Sequence, residues 1–239
     1  MISSRQHPLV KLCRELHSAK GRKKHGLFLV EGQNSVEQLR RSDFVVRHFL
    51  DESSATPEIL AYASDAQTAT KTLAIAEIPA PIIDFDFEGI LLVLDGVGDP
   101  GNVGTLLRAA DAAGASGVVL TQGSCDVWNP KTVRSAAGSL FSLPIVNLEN
   151  RSSEAVCAWL HSHEIPIFTA EAHGGVSPYE TAFPRRGALV LGNERHGVSP
   201  VWEAAAKKLT LPMWGNAESL NVAMAGTLLL YAWRMGEKS

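Results

Sequence analysis

The chain has 239 residues, 45% hydrophobic and 20% charged, which is enough apolar material for one large core or two modest ones and excludes a disordered chain. Its three cysteines, Cys13, Cys125 and Cys157, form no C-x-x-C pair, which argues against a disulfide or zinc framework and for a reduced compartment. The net charge of −3 conceals an asymmetry: residues 1–50 carry 10 Lys/Arg against 4 Asp/Glu, residues 51–100 carry 1 against 10, and the rest balances at 11 each.

In chain order, "PLVKLCRELHS" reads as a helix, followed by a basic turn, a strand "LFLVEG", a helix "NSVEQLRRS" and a strand "VVRHFL". The stretch "KLCRELHSAKGRKKHG" places Lys11, Arg14, Lys20, Arg22, Lys23 and Lys24 within fourteen positions, with Glu15 as the one acid. Such a run is either a solvated surface or the footprint of a phosphate backbone. The linker "IPAPIIDFDFEG" is proline-rich, then acidic, and ends a small N-terminal α/β domain expected over 1–84. Residues 85–239 read differently. The strands "ILLVLD", "GVVLT", "PIFTA", "ALVLGN" and "LTLPM" alternate with the helices "NVGTLLRAADAAG", "KTVRSAAGS" and "SEAVCAWLHSH" and a final helix from about Glu218 to Met235. Short apolar runs between helices predict a mostly parallel sheet covered on both faces. No signal-peptide core is present and "NVAMAGTLLLYAW" is too short to span a bilayer, so a soluble cytoplasmic protein is expected.

Three constellations carry chemistry. In "DGVGDPGNVGTLLRAADAAG" the letters G-x-G-x-x-G follow a strand and open a helix, as in a dinucleotide fingerprint. The context argues against that reading: the next strand ends in Thr121 and Gln122 instead of an acid, and Pro100 removes a backbone donor. Asn102 is expected to cap the helix, and Arg108, set among Leu106, Leu107, Ala109 and Ala110, must snorkel to water or meet an anion. The second is "ALVLGNERHGVSP", where Gly192 and Gly197 bracket Asn193, Glu194, Arg195 and His196 at the end of a buried strand, the place where open α/β sheets bind ligands. No acid or second histidine stands at metal spacing, no G-x-S-x-G indicates a hydrolase, and His196 reads as an exposed loop residue. The third is "LPMWGNAESLNVAMAGTLLLYAW", where Ser219 can cap the apolar helix; Asn221, placed two residues further in, needs a partner in a neighbouring loop or a ligand.

These three stretches, in this order, resemble the SpoU family of RNA 2′-O-ribose methyltransferases, also called TrmH-type, over residues 90–239. The N-terminal "FLVEG" unit with its basic run resembles the ribosomal-protein-like RNA-binding domain of many members. The resemblance implies a SPOUT-type α/β fold with a C-terminal trefoil knot, a homodimer, and methyl transfer from S-adenosylmethionine to a ribose of structured RNA. Large-subunit ribosomal RNA is the first expectation; transfer RNA and a non-catalytic RNA-binding protein are the alternatives. It places Arg108, Asn102, Glu194, Ser219 and Asn221 at the catalytic site, with no metal. It places Thr169, Ala170, Leu191, Gly192, Asn193, Gly197, Leu211, Met213 and Leu220 around the cofactor, and Lys20, Arg22, Lys23, Lys24 and Arg108 on RNA. Trp233 and Tyr231 are expected as anchors of the dimer. Arg195 and Ala223 stand where many members carry a small residue and a serine.

Overall fold

The computed structural model describes residues 1–64, 70–80, 82, 85–146 and 151–236, so Pro81, Ile83 and Asp84 of the linker lie outside the described residues. The chain divides into two compact units, Met1–Ala80 with Asp126–Ser142, and the remainder. The first opens with α1 (Pro8–Leu16), α2 (Ala19–His25), β1 (Leu27–Glu31), α3 (Gln33–Arg40), β2 (Val46–Asp51), α4 (Pro57–Ala63) and β3 (Thr72–Glu77). The basic run expected as a turn is the helix α2, because Ser18 accepts the Gly21 N–H as its N-cap and Gly26, at φ +64°, closes it. The three strands form an antiparallel sheet in the order β1-β3-β2. Val10, Cys13 and Leu16 of α1 pack with Ile59 and Leu60 of α4 over Leu29, Leu50, Leu73 and Ile75 of the sheet.

The second unit begins with β4 (Ile90–Asp95), α5 (Pro100–Ala112) and β5 (Gly117–Leu120). The chain then leaves it. Asp126–Ser142, with α6 (Pro130–Ser135), belongs to the first unit, where Trp128 and Phe141 join Phe28 and Phe44 in an aromatic cluster and Arg134 pairs with the buried Glu31. Periodicity read this segment as a crossover helix of the parallel sheet; its long-range partners are invisible to local pattern. The second unit resumes with β6 (Ile145–Val146), α7 (Ser153–Ser162), β7 (Ile167–Ala170), β8 (Gly187–Gly192), α8 (Val201–Ala205), β9 (Lys207–Leu209) and α9 (Val222–Gly236).

Its six strands lie in the order β6-β5-β4-β8-β7-β9, and every described pairing among them is parallel. Strands buried on both faces read as continuous apolar runs, which is why "ILLVLD" and "GALVLG" were legible. After β4 the chain builds outward through β5 and β6, then crosses to the other side for β7 and β8. The order therefore reverses between β4 and β8, where the loops leaving the two carboxyl ends are hydrogen-bonded together, and a cavity opens beside them over the ends of β7, β8 and β9. Asp95 pairs with Gly192 in register, so the two loops start level. α9 closes against α5 and β8; a methyl group on Gly226 would meet Leu191 and Leu106 side chains at 2.4 and 2.5 Å, so glycine permits this close approach.

Candidate functional site

The site is built from the loops after β4, β7, β8 and β9. Asp95, 2% exposed at the end of β4, accepts three hydrogen bonds: from Thr121 Oγ1 (3.0 Å), Ser153 Oγ (2.5 Å) and the Ser199 N–H (2.6 Å). This buried carboxylate fastens the far end of the 193–199 loop, and the sequence reading overlooked it despite its place after a buried strand. Asn193 fastens the near end: its amide donates to Gly96 O (2.8 Å) while its oxygen accepts the N–H groups of Arg195 and His196.

Glu194 is thereby presented to the start of α5. It accepts from Asn102 Nδ2 at 2.8 Å and, at longer range, from the N–H groups of Gly98 and Asp99. Partial burial pushes its carboxyl up, but the Asn102 amide and the backbone donors outweigh that and hold it below the ordinary carboxylate value. Asn102 Oδ1 in turn accepts from Asn221 Nδ2 at 3.0 Å. Asn221 Oδ1 receives the N–H groups of Ala223 and Met224. Glu194, Asn102 and Asn221 thus form one hydrogen-bonded chain linking the starts of α5 and α9 to the β8 loop.

Two capping expectations are corrected here. Asp99, not Asn102, caps α5, accepting the Asn102 N–H at 2.9 Å. The final helix starts at Val222 with Asn221 as its cap, so Ser219 caps nothing and residues 211–221 form an extended loop. Asp99 takes the cap because it precedes Pro100, which favours the first helical position, while Asn102 already lies inside the first turn. The glycine loop is also explained: Asp99 and Glu194 carboxylates occupy the N–H groups at this helix start, leaving it no dinucleotide cradle.

Beside this chain lies a cavity of about 480 Å³, within the range of small-molecule sites. Of the residues expected around a cofactor, Ala170, Leu191, Gly192, Asn193, Gly197, Leu211, Met213 and Leu220 line it, with Glu194, Ser219 and Asn221. Thr169 does not: strand alternation turns its side chain into the sheet's packing, where it is 1% exposed. The reading missed Glu171, Arg195 and Glu218 in the lining. Three carboxylates against one guanidinium give the cavity an anionic bias that suits a cationic ligand.

Arg108 lies on α5 and is exposed, with no partner among the described residues, so of the two outcomes expected for it the structure takes the solvent-facing one. In the first unit Lys20, Lys23 and Lys24 are exposed, Lys24 sharing Glu15 with His25. Arg22 is a correction. It is 3% exposed, its Nε lies 2.8 Å from Asp126, and Nη1 donates to Leu16 O and His17 O, so it holds the fold and is closed to a phosphate. Trp233 is corrected likewise: it is buried, stacked on Phe183, with its N–H donated to Pro184 O. Among the described residues no cluster of His, Cys, Asp and Glu could hold a metal, and no helix is long and apolar enough to cross a membrane.

A parallel sheet with a ligand cavity over the carboxyl ends of β7, β8 and β9, walled by the loops that precede and follow its last strand, is an open α/β architecture built to hold a small ligand. The chain belongs to the SpoU rRNA Methylase family, whose model matches residues 89–231, and an MRM3-like substrate binding domain matches residues 7–82. It is 33% identical over 247 residues, 98% of each chain, to 23S rRNA (guanosine(2553)-2'-O)-methyltransferase RlmP of Bacillus subtilis (strain 168). Among solved structures it resembles a putative RNA methyltransferase of the TrmH family from Porphyromonas gingivalis (TM-score 0.84, 33% identity, 98% and 99% of the two chains). It also resembles the SpoU methyltransferase AviRb from Streptomyces viridochromogenes in complex with the cofactor AdoMet (TM-score 0.84, 27% identity, 96% and 98%).

Proposed function

We propose that this chain transfers a methyl group from S-adenosylmethionine to a ribose 2′-oxygen of large-subunit ribosomal RNA, in the cytoplasm. The observation that carries the reading is the Glu194–Asn102–Asn221 chain at the edge of the 480 Å³ cavity, on the same helix as the unpaired Arg108. The cavity fits the donor: Leu191, Leu211, Met213 and Leu220 supply an apolar slot with backbone polar groups at its edges, and the acids favour a sulfonium. When bound, S-adenosylmethionine supplies an already activated methyl group, so the protein's work is alignment and charge control.

A guanidinium is a donor with no acceptor site, so the role it suits at Arg108 is that of a fixed cation and not of a base. Arg108 therefore stabilises the charge developing on the 2′-oxygen and grips the neighbouring phosphate, and the displaced proton passes to solvent. Asn102 orients the start of α5, Glu194 and Asn221 hold the two loops against it, and Ser219 contributes its hydroxyl to the cavity wall. Lys20, Lys23 and Lys24, on the substrate-binding domain, bind the phosphate backbone.

The knot and the homodimer belong to the same proposal. After β9, at the sheet edge, the chain returns to lay α9 on α5, the path a knot requires. Met224, Leu228, Tyr231 and Met235 form an exposed stripe on α9 at helical spacing, an apolar face suited to a second copy. The test is incubation with methyl-labelled S-adenosylmethionine and unmodified transcripts of large-subunit ribosomal RNA and of transfer RNA, followed by alkaline hydrolysis. A 2′-O-methyl group blocks cleavage at its own phosphodiester, so label in alkali-stable dinucleotides from the ribosomal transcript is the expected result; label confined to transfer RNA or to bases would overturn it.

A further inference from the structure

Trp214 is 89% exposed, the most exposed aromatic side chain of the described residues, and makes no ring, cation or hydrogen-bond contact among them. Single exposed apolar residues are ordinary on protein surfaces. Its position is not ordinary. Met213 before it and the run Glu218–Val222 after it line the cavity, so the indole stands on the loop that forms the cavity's lip. The exposed aromatics Tyr62 and Phe49 of the first unit are engaged, Tyr62 under the guanidinium groups of Arg5 and Arg14 and Phe49 under Arg40, and in the second unit the exposed Tyr179 and Tyr231 do not line the cavity. Gly215 and Asn216 follow Trp214, are themselves exposed, and no backbone hydrogen bond within 214–220 fixes the loop among the described residues. An indole at that place has a free face and freedom to turn.

We infer that Trp214 is a stacking platform for an unpaired nucleobase of the RNA beside the methylated ribose. This deepens the proposed function and rests on it. Specific RNA sites lie mostly in loops, bulges and ends, where a nucleotide freed from its helix can enter a recessed cavity, and bases so exposed are stacked on aromatic faces. The lip supplies what such a nucleotide needs: a flat apolar surface at Trp214, and at Arg195, exposed and lining the same cavity, a guanidinium for its phosphate. Stacking tolerates every base, so Trp214 determines how firmly the target nucleotide is held out and leaves its identity to other contacts.

The test uses the full chain, tritiated S-adenosylmethionine and an in vitro transcript of 23S ribosomal RNA. Trp214→Ala should lower kcat/KM for the transcript by about 10-fold or more, in line with the loss of one base stack. Trp214→Phe, which keeps an aromatic face, should recover most of it, and the calorimetric affinity for S-adenosylmethionine should stay within twofold in both. RNA should also shield tryptophan emission from acrylamide in the wild type and less so in Trp214→Phe. Unchanged RNA kinetics in Trp214→Ala would overturn the inference, as would a loss of cofactor affinity, which would make the indole a lid. A halving of the particle mass by light scattering would make it a contact between copies and overturn it equally. A wild-type chain that methylates no RNA would instead defeat the proposed function itself.

Discussion

Glu194 carries a charge that the surrounding donors keep in place, and this gives the site a pH signature. Its carboxyl titrates below the ordinary 4.5, so its contribution is complete above that value and fades as pH falls through the lowered one. Affinity for S-adenosylmethionine should therefore show no dependence on this group between about pH 6 and 8. Asn102→Ala removes the largest lowering contact, and the acid limb of the affinity profile should move up toward the ordinary range; an unmoved limb would separate Asn102 from Glu194. Arg108 has a different task. Arg108→Ala should reduce methyl transfer by on the order of 10²–10³ while the calorimetric affinity for the cofactor stays within a few-fold. Equal loss of affinity would place Arg108 in the cofactor cavity. Gly192 is a poor probe of that cavity, because a Cβ there would lie 2.2–2.4 Å from the Gly197–Val198 backbone and break the loop before filling any pocket.

At the scale of elements, α2 gathers four cationic residues with opposite duties. Arg22→Ala strips the donors from Leu16 O, His17 O and Asp126 and should cost about 1–3 kcal/mol in denaturant unfolding, with the salt dependence of RNA binding intact. Replacing Lys20, Lys23 and Lys24 together should leave stability nearly unchanged and flatten the log–log salt slope by roughly two to three units. The reverse assignment of effects would return the lysines to plain surface. Sequence could not separate Arg22 from its neighbours, since the difference lies in Asp126, 104 positions away. The buried strands were legible because β4, β5, β7 and β8 are apolar on both faces. By contrast β3 is a buried apolar run whose alternate alanines give little strand propensity, α4 is a seven-residue helix, and β6 has two residues, so each carries a weaker signal. The cavity residues were legible through family resemblance and the strand ends, but the Asp95 and Asn193 ties were not, because they are made by loops meeting across the sheet edge.

For the whole molecule, the three chain passages at 80/81, 125/126 and 142/143 bind the two units together covalently more than a single linker would. A fragment over 90–239 would carry Trp128 and Phe141 without Phe28 and Phe44, so RNA and cofactor measurements belong on the full chain. The stripe of Met224, Leu228, Tyr231 and Met235 should hold two copies together, giving about twice the 25.7 kDa chain mass by light scattering, and Leu228→Glu should shift that mass toward one chain. A wild-type monomer that still methylates RNA would contradict the dimer. The central claim, ribose methylation of large-subunit ribosomal RNA, is tested most directly by mapping 2′-O-methyl groups at nucleotide resolution in cells lacking the gene and in the same cells supplied with the wild-type chain or Arg108→Ala. The expected result is one large-subunit ribose methylated with the wild type and unmethylated in the other two; a ribosomal RNA methylation pattern identical in all three would contradict it.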